Sequence, residues 1–303
     1  MSDEAGIPFV YERELVSGSA CKPGAPPDLL IEVPHGATEK RHYDTLRGRL
    51  ATPLPDSLLD FFFVNTDVGA PECARALAQR ITESAQGRTR SVVVLRCLVP
   101  RTFADCNREM GASPAELASG GLTAAIPGYV TDEADVRLLA DLHARYQEAV
   151  EREYERVCGG EGGTAILFHT YAPRSIELEV DADVGRALRA AYAPDRYERW
   201  PLRPEVDLIT ATPEGQYLAP RRLVEAVRAG YERLGVTVGE NATYRLHPGT
   251  TAHRHASRRP GRVLCIEISR ARLGDPWEPF GPTRLSDARV RSMVGPLAEA
   301  WTA

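Results

Sequence analysis

This chain lacks the sequence features that mark several large classes of protein. No stretch approaches the roughly 18 consecutive apolar residues of a membrane-spanning helix, so we expect no membrane association. The six cysteines form no Cys-x-x-Cys pair, so we expect reduced thiols in a cytoplasmic protein and no structural zinc cluster. There is no glycine-rich dinucleotide or P-loop pattern and no GxSxG, which argues against a nucleotide site and a serine hydrolase.

An excess of positive charge is also missing. The formal net charge is -5, whereas nucleic-acid binding needs a basic face, so we expect no nucleic-acid partner. The N-terminal segment, MSDEAGIPFVYERE, is acidic and has no long apolar core, so we expect no signal peptide. With 43% hydrophobic and 26% charged residues, the composition is that of an ordinary globular protein.

What the chain does contain is an alternation of short apolar runs and helical patterns. Residues 29–33, 91–95 and 164–168 are typical of buried strands, and 132–158 has the spacing of one long amphipathic helix. Such an alternation predicts an α/β fold with a mostly parallel central sheet flanked by helices. No linker is evident, so we predict a single domain over residues 1–303, with an insertion at 172–205.

Other segments are assigned from the same patterns. The run Phe61 to Val64 is predicted to be a strand, with a helix beginning shortly after Asp67. Within the insertion, 176–180 is a strand candidate and 183–192 a helix. Residues 242–260, which hold three of the seven histidines, are predicted to be a polar loop. The last strong strand covers 262–268.

Residues capable of chemistry follow several of these apolar runs. His35 comes just after 29–33, Asp67 follows the run at 61–64, and His169 ends the strand at 164–168. Because ligands bind at the carboxyl ends of strands in open α/β sheets, we expect these side chains to converge at one edge. A lone Pro-His-Gly is more often a packing or capping histidine, but the repetition of the pattern favours a site.

The residue types at this edge suit metal-assisted hydrolysis. Two imidazoles and one carboxylate form a three-ligand zinc site with an open position, where zinc lowers the pKa of water to about 7. Glu267 is the unusual residue, because a carboxylate inside an apolar strand costs several kcal/mol unless it is paired or bound. It suits a general base, or else it is a structural carboxylate held by an arginine such as Arg262 or Arg270.

Taken together, the motifs resemble the N-formylglutamate amidohydrolase family, which belongs to the zinc carboxypeptidase and aspartoacylase-like hydrolases. The resemblance covers about residues 29 to 272. The motifs that carry it are Pro34-His35-Gly36, Thr66-Asp67, Arg101-Thr-Phe-Ala-Asp105-Cys-Asn107-Arg108, His169, Glu240-Asn241 and Ile266-Glu267-Ile-Ser-Arg270.

The resemblance implies a role for each matching residue. His35 and His169 are expected to bind zinc, with Asp67 as the third ligand and Glu39 as its rival. Glu39 follows His35 with one residue more than the related carboxypeptidases have, which counts against it. Arg101 is expected to polarise the scissile carbonyl, Asn107 and Arg108 to hold a substrate carboxylate, and Glu267 to be the general base.

The chain also departs from the family pattern. Gly36 stands where the family has Ser, the second histidine lacks the usual preceding Asp, and 172–205 is longer than the usual connection. These departures lie where the substrate is contacted, so they leave its acyl group and amino-acid side open.

The function that follows is a zinc-dependent hydrolase that cleaves an amide bond of a small N-acyl (N-formyl-type) amino acid or a peptide-like substrate. The expected partner is a small, carboxylate-bearing molecule. The alternative is a non-catalytic protein that binds a small ligand on the same fold.

Overall fold

A computed structural model of the protein describes residues 10–113, 115, 117, 120–160, 162–274 and 278–303. Within these residues, seven strands form one sheet. In chain order they are β1 (Tyr11–Ser17), β2 (Leu29–Val33), β3 (Ser91–Cys97), β4 (Thr164–Tyr171), β5 (Val206–Ile209), β6 (Val238–Glu240) and β7 (Val263–Ser269). The helices are α1 (Lys40–Arg47), α2 (Leu58–Asn65), α3 (Ala70–Glu83), α4 (Glu133–Cys158), α5 (Val184–Ala191), α6 (Pro194–Tyr197), α7 (Arg221–Arg233), α8 (Thr251–Arg258) and α9 (Asp287–Thr302), with a 3₁₀ turn at Arg270–Arg272.

The sheet has the order β1-β3-β2-β4-β7-β5-β6. Four of its pairings are parallel, whereas β1 runs antiparallel to β3 and β5 antiparallel to β7. The predicted mostly parallel α/β sheet is therefore confirmed. None of the helices in the described parts of the chain is long and apolar enough to cross a bilayer.

Helices cover both faces of the sheet and make two apolar cores. On one face α4 and α8 pack over alternate strand residues such as Leu167 and Cys265. On the other face α3, α7 and α9 pack over Ile166 and Ile266. Because strand side chains alternate between faces, His169 and Glu267 leave the sheet on the α4 side, two residues beyond Leu167 and Cys265. This alternation positions the side chains of the candidate site.

The predicted strand at residues 61–64 is wrong, since these residues lie within helix α2. The sequence of α2, LLDFFFVN, is almost entirely apolar, and a short apolar run cannot distinguish a strand from a helix by periodicity. Leu58 and Phe62, four residues apart, are fully buried, while Phe61 and Val64 are half-buried on another side of the helix. Each fully buried Leu or Phe contributes about 1.5–3 kcal/mol, which holds α2 against the core.

Two further assignments differ from the structure. Residues 176–180 form no strand, although the backbone there is not helical either. The predicted polar loop at 242–260 contains helix α8, which begins where the Thr250 side chain accepts a hydrogen bond from the backbone N–H of His253. Buried Ala252, His255 and Ala256 lie on one face of α8, so its apolar spacing is masked in the sequence by the surrounding Arg and His residues.

Candidate metal centre

Two histidines and one aspartate meet at the carboxyl edge of the parallel strands. Asp67 Oδ2 lies 2.8 Å from Nδ1 of His169 and 3.3 Å from Nδ1 of His35. The two imidazole rings are 5.0 Å apart between centroids, and one ligand atom from each residue lies within 4.8 Å of the others. All three side chains are buried. Two nitrogens and a carboxylate oxygen in this arrangement are a donor set that fits zinc with a position left open.

Three different elements deliver these ligand candidates. His35 lies two residues beyond β2, His169 lies within β4, and Asp67 lies in the bend between α2 and α3. That bend needs Gly69, which has φ = 92° and whose Cβ, if present, would lie 2.6 Å from a methyl carbon of Leu273. The chain therefore turns sharply after Asp67 and enters α3, which holds the carboxylate against both imidazoles.

A second aspartate lies behind His35. Asp105 Oδ1 is 2.8 Å from Nε2 of His35, and Oδ2 accepts a hydrogen bond of 2.9 Å from Nε of Arg101, with Nη2 of Arg108 at 3.5 Å. Burial raises the pKa of Asp105, but the charges of Arg108 and Arg101 outweigh burial and hold the pKa well below its usual range. A carboxylate on one imidazole nitrogen fixes the ring and directs the other nitrogen, here Nδ1, toward Asp67.

Asp67 is itself held in the ionised state. Its burial alone would raise its pKa, but the charge of His35 and the hydrogen bonds from His169 and His35 lower it below the ordinary value. Arg270 adds positive charge at 4.0 Å from Oδ1. A buried carboxylate that stays charged between two imidazoles has the electrostatic character of a cation ligand.

Glu267 lies on the strand next to His169. The two residues are direct register neighbours on β4 and β7, so both side chains leave the same face of the sheet. Glu267 is buried, and its Oε2 has no hydrogen-bond partner among the described residues. Burial raises the pKa of Glu267 to about 7, against the charge of His169 and with support from Asp67. A carboxyl group with this pKa can take up and release a proton near neutral pH.

These residues line one cavity of about 300 Å³. Arg108, Arg203 and Arg270 also line it, and the Nε atom of each is buried without a hydrogen-bond partner in the described part of the chain. Arg203 lies over the rings of Tyr171 and Tyr244, at 5.1 and 5.5 Å from their centroids. The cavity is therefore lined by several guanidinium groups beside the candidate metal ligands, which favours an anionic ligand.

The structure brings the predicted site residues together around this cavity. His35, Asp67, Arg101, Asn107, Arg108, His169 and Glu267 all line it. The Oδ1 atom of Asn107 also accepts hydrogen bonds from the Thr251 hydroxyl and the backbone N–H of Ala252, which fixes Asn107 against the start of α8. Glu39 is separate from the cluster, because it is exposed, precedes α1 and pairs with Arg41.

The sequence reasoning assigned no site role to Asp105 or Arg203, and considered Arg270 only as a holder of Glu267. Asp105 could have been found, since a carboxylate four residues after Arg101 and three before Arg108 suggests a shared ion pair. Arg270 instead lies beside Asp67 and donates to the carbonyl of Val64. Arg203 has no local signal, because only the folding of the insertion brings it to the cavity.

The other histidines take different positions. His255 is fully buried and stacks on Tyr154, with 3.9 Å between centroids, and burial lowers its pKa to about 2. His143 packs in α4, where its Nε2 lies 2.9 Å from the carbonyl oxygen of Arg108. His143 thus packs against the backbone of Arg108, whereas His255 packs between α8 and α4.

Comparison with known proteins identifies a family whose sequence model matches this chain. The sequence model of the N-formylglutamate amidohydrolase family matches residues 28–273, which is most of the chain and includes every residue of the metal centre. A search of curated protein sequences finds no match to this chain.

Solved structures show the same fold. A gene product from Agrobacterium tumefaciens superposes with a TM-score of 0.56 at 20% identity, covering 96% of this chain and 93% of that one. An N-formylglutamate amidohydrolase from Ralstonia eutropha superposes with a TM-score of 0.52 at 18% identity, covering 95% and 96% respectively.

Proposed function

The chain belongs to the N-formylglutamate amidohydrolase family, and from this premise we propose that it is a zinc-dependent hydrolase of N-formyl amino acids. The observation that carries the proposal is the buried cluster of His35, Asp67 and His169, with Glu267 in register beside it. Burying two imidazoles and a carboxylate costs free energy that their mutual hydrogen bonds only partly offset, which favours a functional role for the cluster.

Zinc is the cofactor that we propose for this donor set. His35, Asp67 and His169 would hold it, and zinc so bound supplies Lewis acidity, lowering the pKa of water and polarising a carbonyl group. Asp105 contributes by hydrogen-bonding Nε2 of His35, which fixes the orientation of the imidazole ring. The remaining steps belong to residues of the chain.

Glu267 is the proposed proton carrier. As a general base it takes a proton from water while the water oxygen bonds to the formyl carbon, and it then gives the proton to the leaving nitrogen as the C–N bond breaks. Its buried Oε2 is unpartnered among the described residues, and a pKa of about 7 allows both steps near neutral pH. The products are formate and a free amino acid.

Two arginines are proposed to bind two different groups of the substrate. Arg101, which keeps 28% of its side chain exposed, is proposed to stabilise charge that develops on the carbonyl oxygen. Arg108 and Asn107, which line the cavity, are proposed to bind the substrate carboxylate. Both guanidiniums are already aligned by Asp105, so little ordering is needed when the substrate binds.

The test is hydrolysis of a panel of N-formyl amino acids by the zinc-loaded protein, with and without a chelator. Glu267→Gln keeps the shape of the side chain and removes the base, so we expect kcat to fall by about 10²–10⁴ with KM and zinc content little changed. Glu225→Gln, on an exposed face of α7, is the matched control and should leave turnover unchanged.

The alternative is a binding protein on the same fold without catalysis. It predicts that N-formyl amino acids bind but are not cleaved, whatever the metal content. A folded, zinc-loaded Glu267→Gln variant that turns over like the wild type rules out the proposed mechanism.

A further inference from the structure

Part of the cavity lining is apolar. It is formed by half-buried side chains of α2 and of the segment that follows β4, together with buried side chains of α5. The wall residues, hereafter the apolar wall, are Phe61, Val64, Ile176, Leu178, Val180, Val184 and Leu188. Apolar side chains that are only half-buried and line a cavity leave hydrophobic surface for a ligand to cover.

The segment 175–180 shows an alternation that points to this use. Ile176, Leu178 and Val180 line the cavity, whereas Glu177 and Glu179 between them are exposed. The segment thus has the alternation of a strand without belonging to the sheet. Its apolar side therefore faces the cavity contents.

The wall is fixed in place rather than loosely attached. At Gly185 in α5, an added Cβ would lie 1.9 Å from the carbonyl oxygen of Ser57, so α5 approaches the start of α2 too closely for any side chain. Arg189 of α5 forms a two-pronged ion pair with Asp60 of α2, one contact being 2.7 Å. The two helices that carry the wall are thus locked to each other before a ligand arrives, which limits the entropy lost on binding.

Arg174, the cation at the start of the wall segment, is already engaged by other groups of the protein. Arg174, two residues before Ile176, forms an ion pair with Glu198 and donates to the carbonyl of Trp200 at 2.7 Å. Its guanidinium also lies over the ring of Tyr197. A glutamate side chain placed against this segment would lose hydration, and Arg174, the cation that the segment itself carries, already has a carboxylate partner.

We propose that the apolar wall receives the side chain of the substrate, so that the preferred substrates are N-formyl amino acids with apolar side chains, such as leucine, rather than N-formylglutamate. This inference rests on the proposed function, because the small formyl group leaves only the amino-acid side chain to fill the wall. The α-carboxylate is held by Arg108 and Asn107 in the same cavity. The wall is therefore the specificity-determining part of the site.

Specificity is tested by turnover of N-formyl-leucine and N-formyl-glutamate. The wild type should favour N-formyl-leucine in kcat/KM by roughly 10- to 100-fold, the effect of burying one large aliphatic side chain. Leu178→Arg places a cation on the wall and should reverse or abolish that preference. Glu177→Gln changes the net charge by the same one unit on the exposed side of the segment and should leave the preference unchanged.

A binding measurement makes the result independent of catalysis. The zinc-loaded Glu267→Gln protein is titrated calorimetrically with each of the two compounds, and N-formyl-leucine should bind roughly 10-fold or more tightly than N-formyl-glutamate. If the wild type hydrolyses neither compound, the proposed hydrolase function is wrong. The titration still shows whether the apolar wall favours the leucine side chain over the glutamate side chain. A preference for N-formyl-glutamate, an equal affinity for both, or no binding of either overturns the inference.

Discussion

Replacing Asp105 by asparagine tests how the chain prepares His35 for metal binding. One carboxylate oxygen lies 2.8 Å from His35 Nε2 and accepts the backbone N–H of Asn107, while the other faces Arg101 and Arg108. Asparagine keeps the size and one oxygen but turns an NH₂ donor toward guanidinium donors. Removing a residue that hydrogen-bonds a metal ligand typically weakens metal binding 10- to 100-fold, and we expect Asp105→Asn to weaken zinc binding by this factor.

The same substitution should lower the free energy of unfolding of the metal-free protein. Removing one partner of a buried ion pair costs about 3–5 kcal/mol, and because Arg101 is 28% exposed we expect the lower end, about 3 kcal/mol.

Zinc affinity is measured by competition with a chromogenic chelator, and stability by urea unfolding of the metal-free protein. The matched control is Asp44→Asn, which breaks an ion pair with Lys40 in which both side chains are 53% exposed. The control should change stability by less than about 1 kcal/mol and leave zinc affinity unaltered. If Asp105→Asn binds zinc within threefold of the wild type, Asp105 does not orient the ligand and the reasoning is refuted.

Two further predictions concern Arg108 and Glu32. Arg108→Lys keeps the charge but loses the two-pronged donor geometry, so steady-state kinetics should show KM raised by about 10- to 100-fold with kcat little changed; an equal fall in kcat and kcat/KM would instead assign Arg108 to the transition state. Burial raises the pKa of Glu32, a residue of strand β2, from 4.5 to about 7, against the hydrogen bond that Tyr146 donates to it. Because the pKa of Glu32 is higher in the folded than in the unfolded state, the free energy of unfolding of the wild type falls as the pH rises from about 4.5 to 7. Glu32→Gln should therefore be more stable than the wild type by up to about 3 kcal/mol near pH 8, but not near pH 4. Denaturant unfolding at both pH values measures this, with Glu225→Gln expected to follow the wild type; equal stability of Glu32→Gln and wild type near pH 8 contradicts it.

The strands that position the site were predictable because each is short, apolar and bounded by turn residues. Leu29–Val33 and Ser91–Cys97 occur close to where the sequence places them, and the long helix begins at Glu133, one residue after its predicted start at 132. From strand ends alone, His35 and His169 were expected at one edge, and the structure brings them together there. Local sequence patterns and the geometry of parallel sheets are therefore sufficient to predict the strands and the edge at which the two histidines lie.

The parts that could not be predicted depend on tertiary structure. Helix α2 has no polar face in its sequence, because one side meets the core and another meets the cavity. The contact of Asp105 with His35 joins residues 70 positions apart, and its pairing with Arg108 depends on a buried turn. Arg203 reaches the cavity only because the insertion folds back over Tyr171. Propensity and spacing carry no information about such long-range approaches.

The most direct test of the proposed metal centre is the zinc content of purified, metal-loaded protein, measured by elemental analysis after gel filtration. The proposed site predicts about one zinc per chain for the wild type and for Glu39→Ala, and essentially none for His35→Ala, Asp67→Ala or His169→Ala, with each variant shown to be folded by circular dichroism. Stoichiometric zinc retained by folded His35→Ala and His169→Ala, or zinc lost on substitution of Glu39 but not of Asp67, would contradict it.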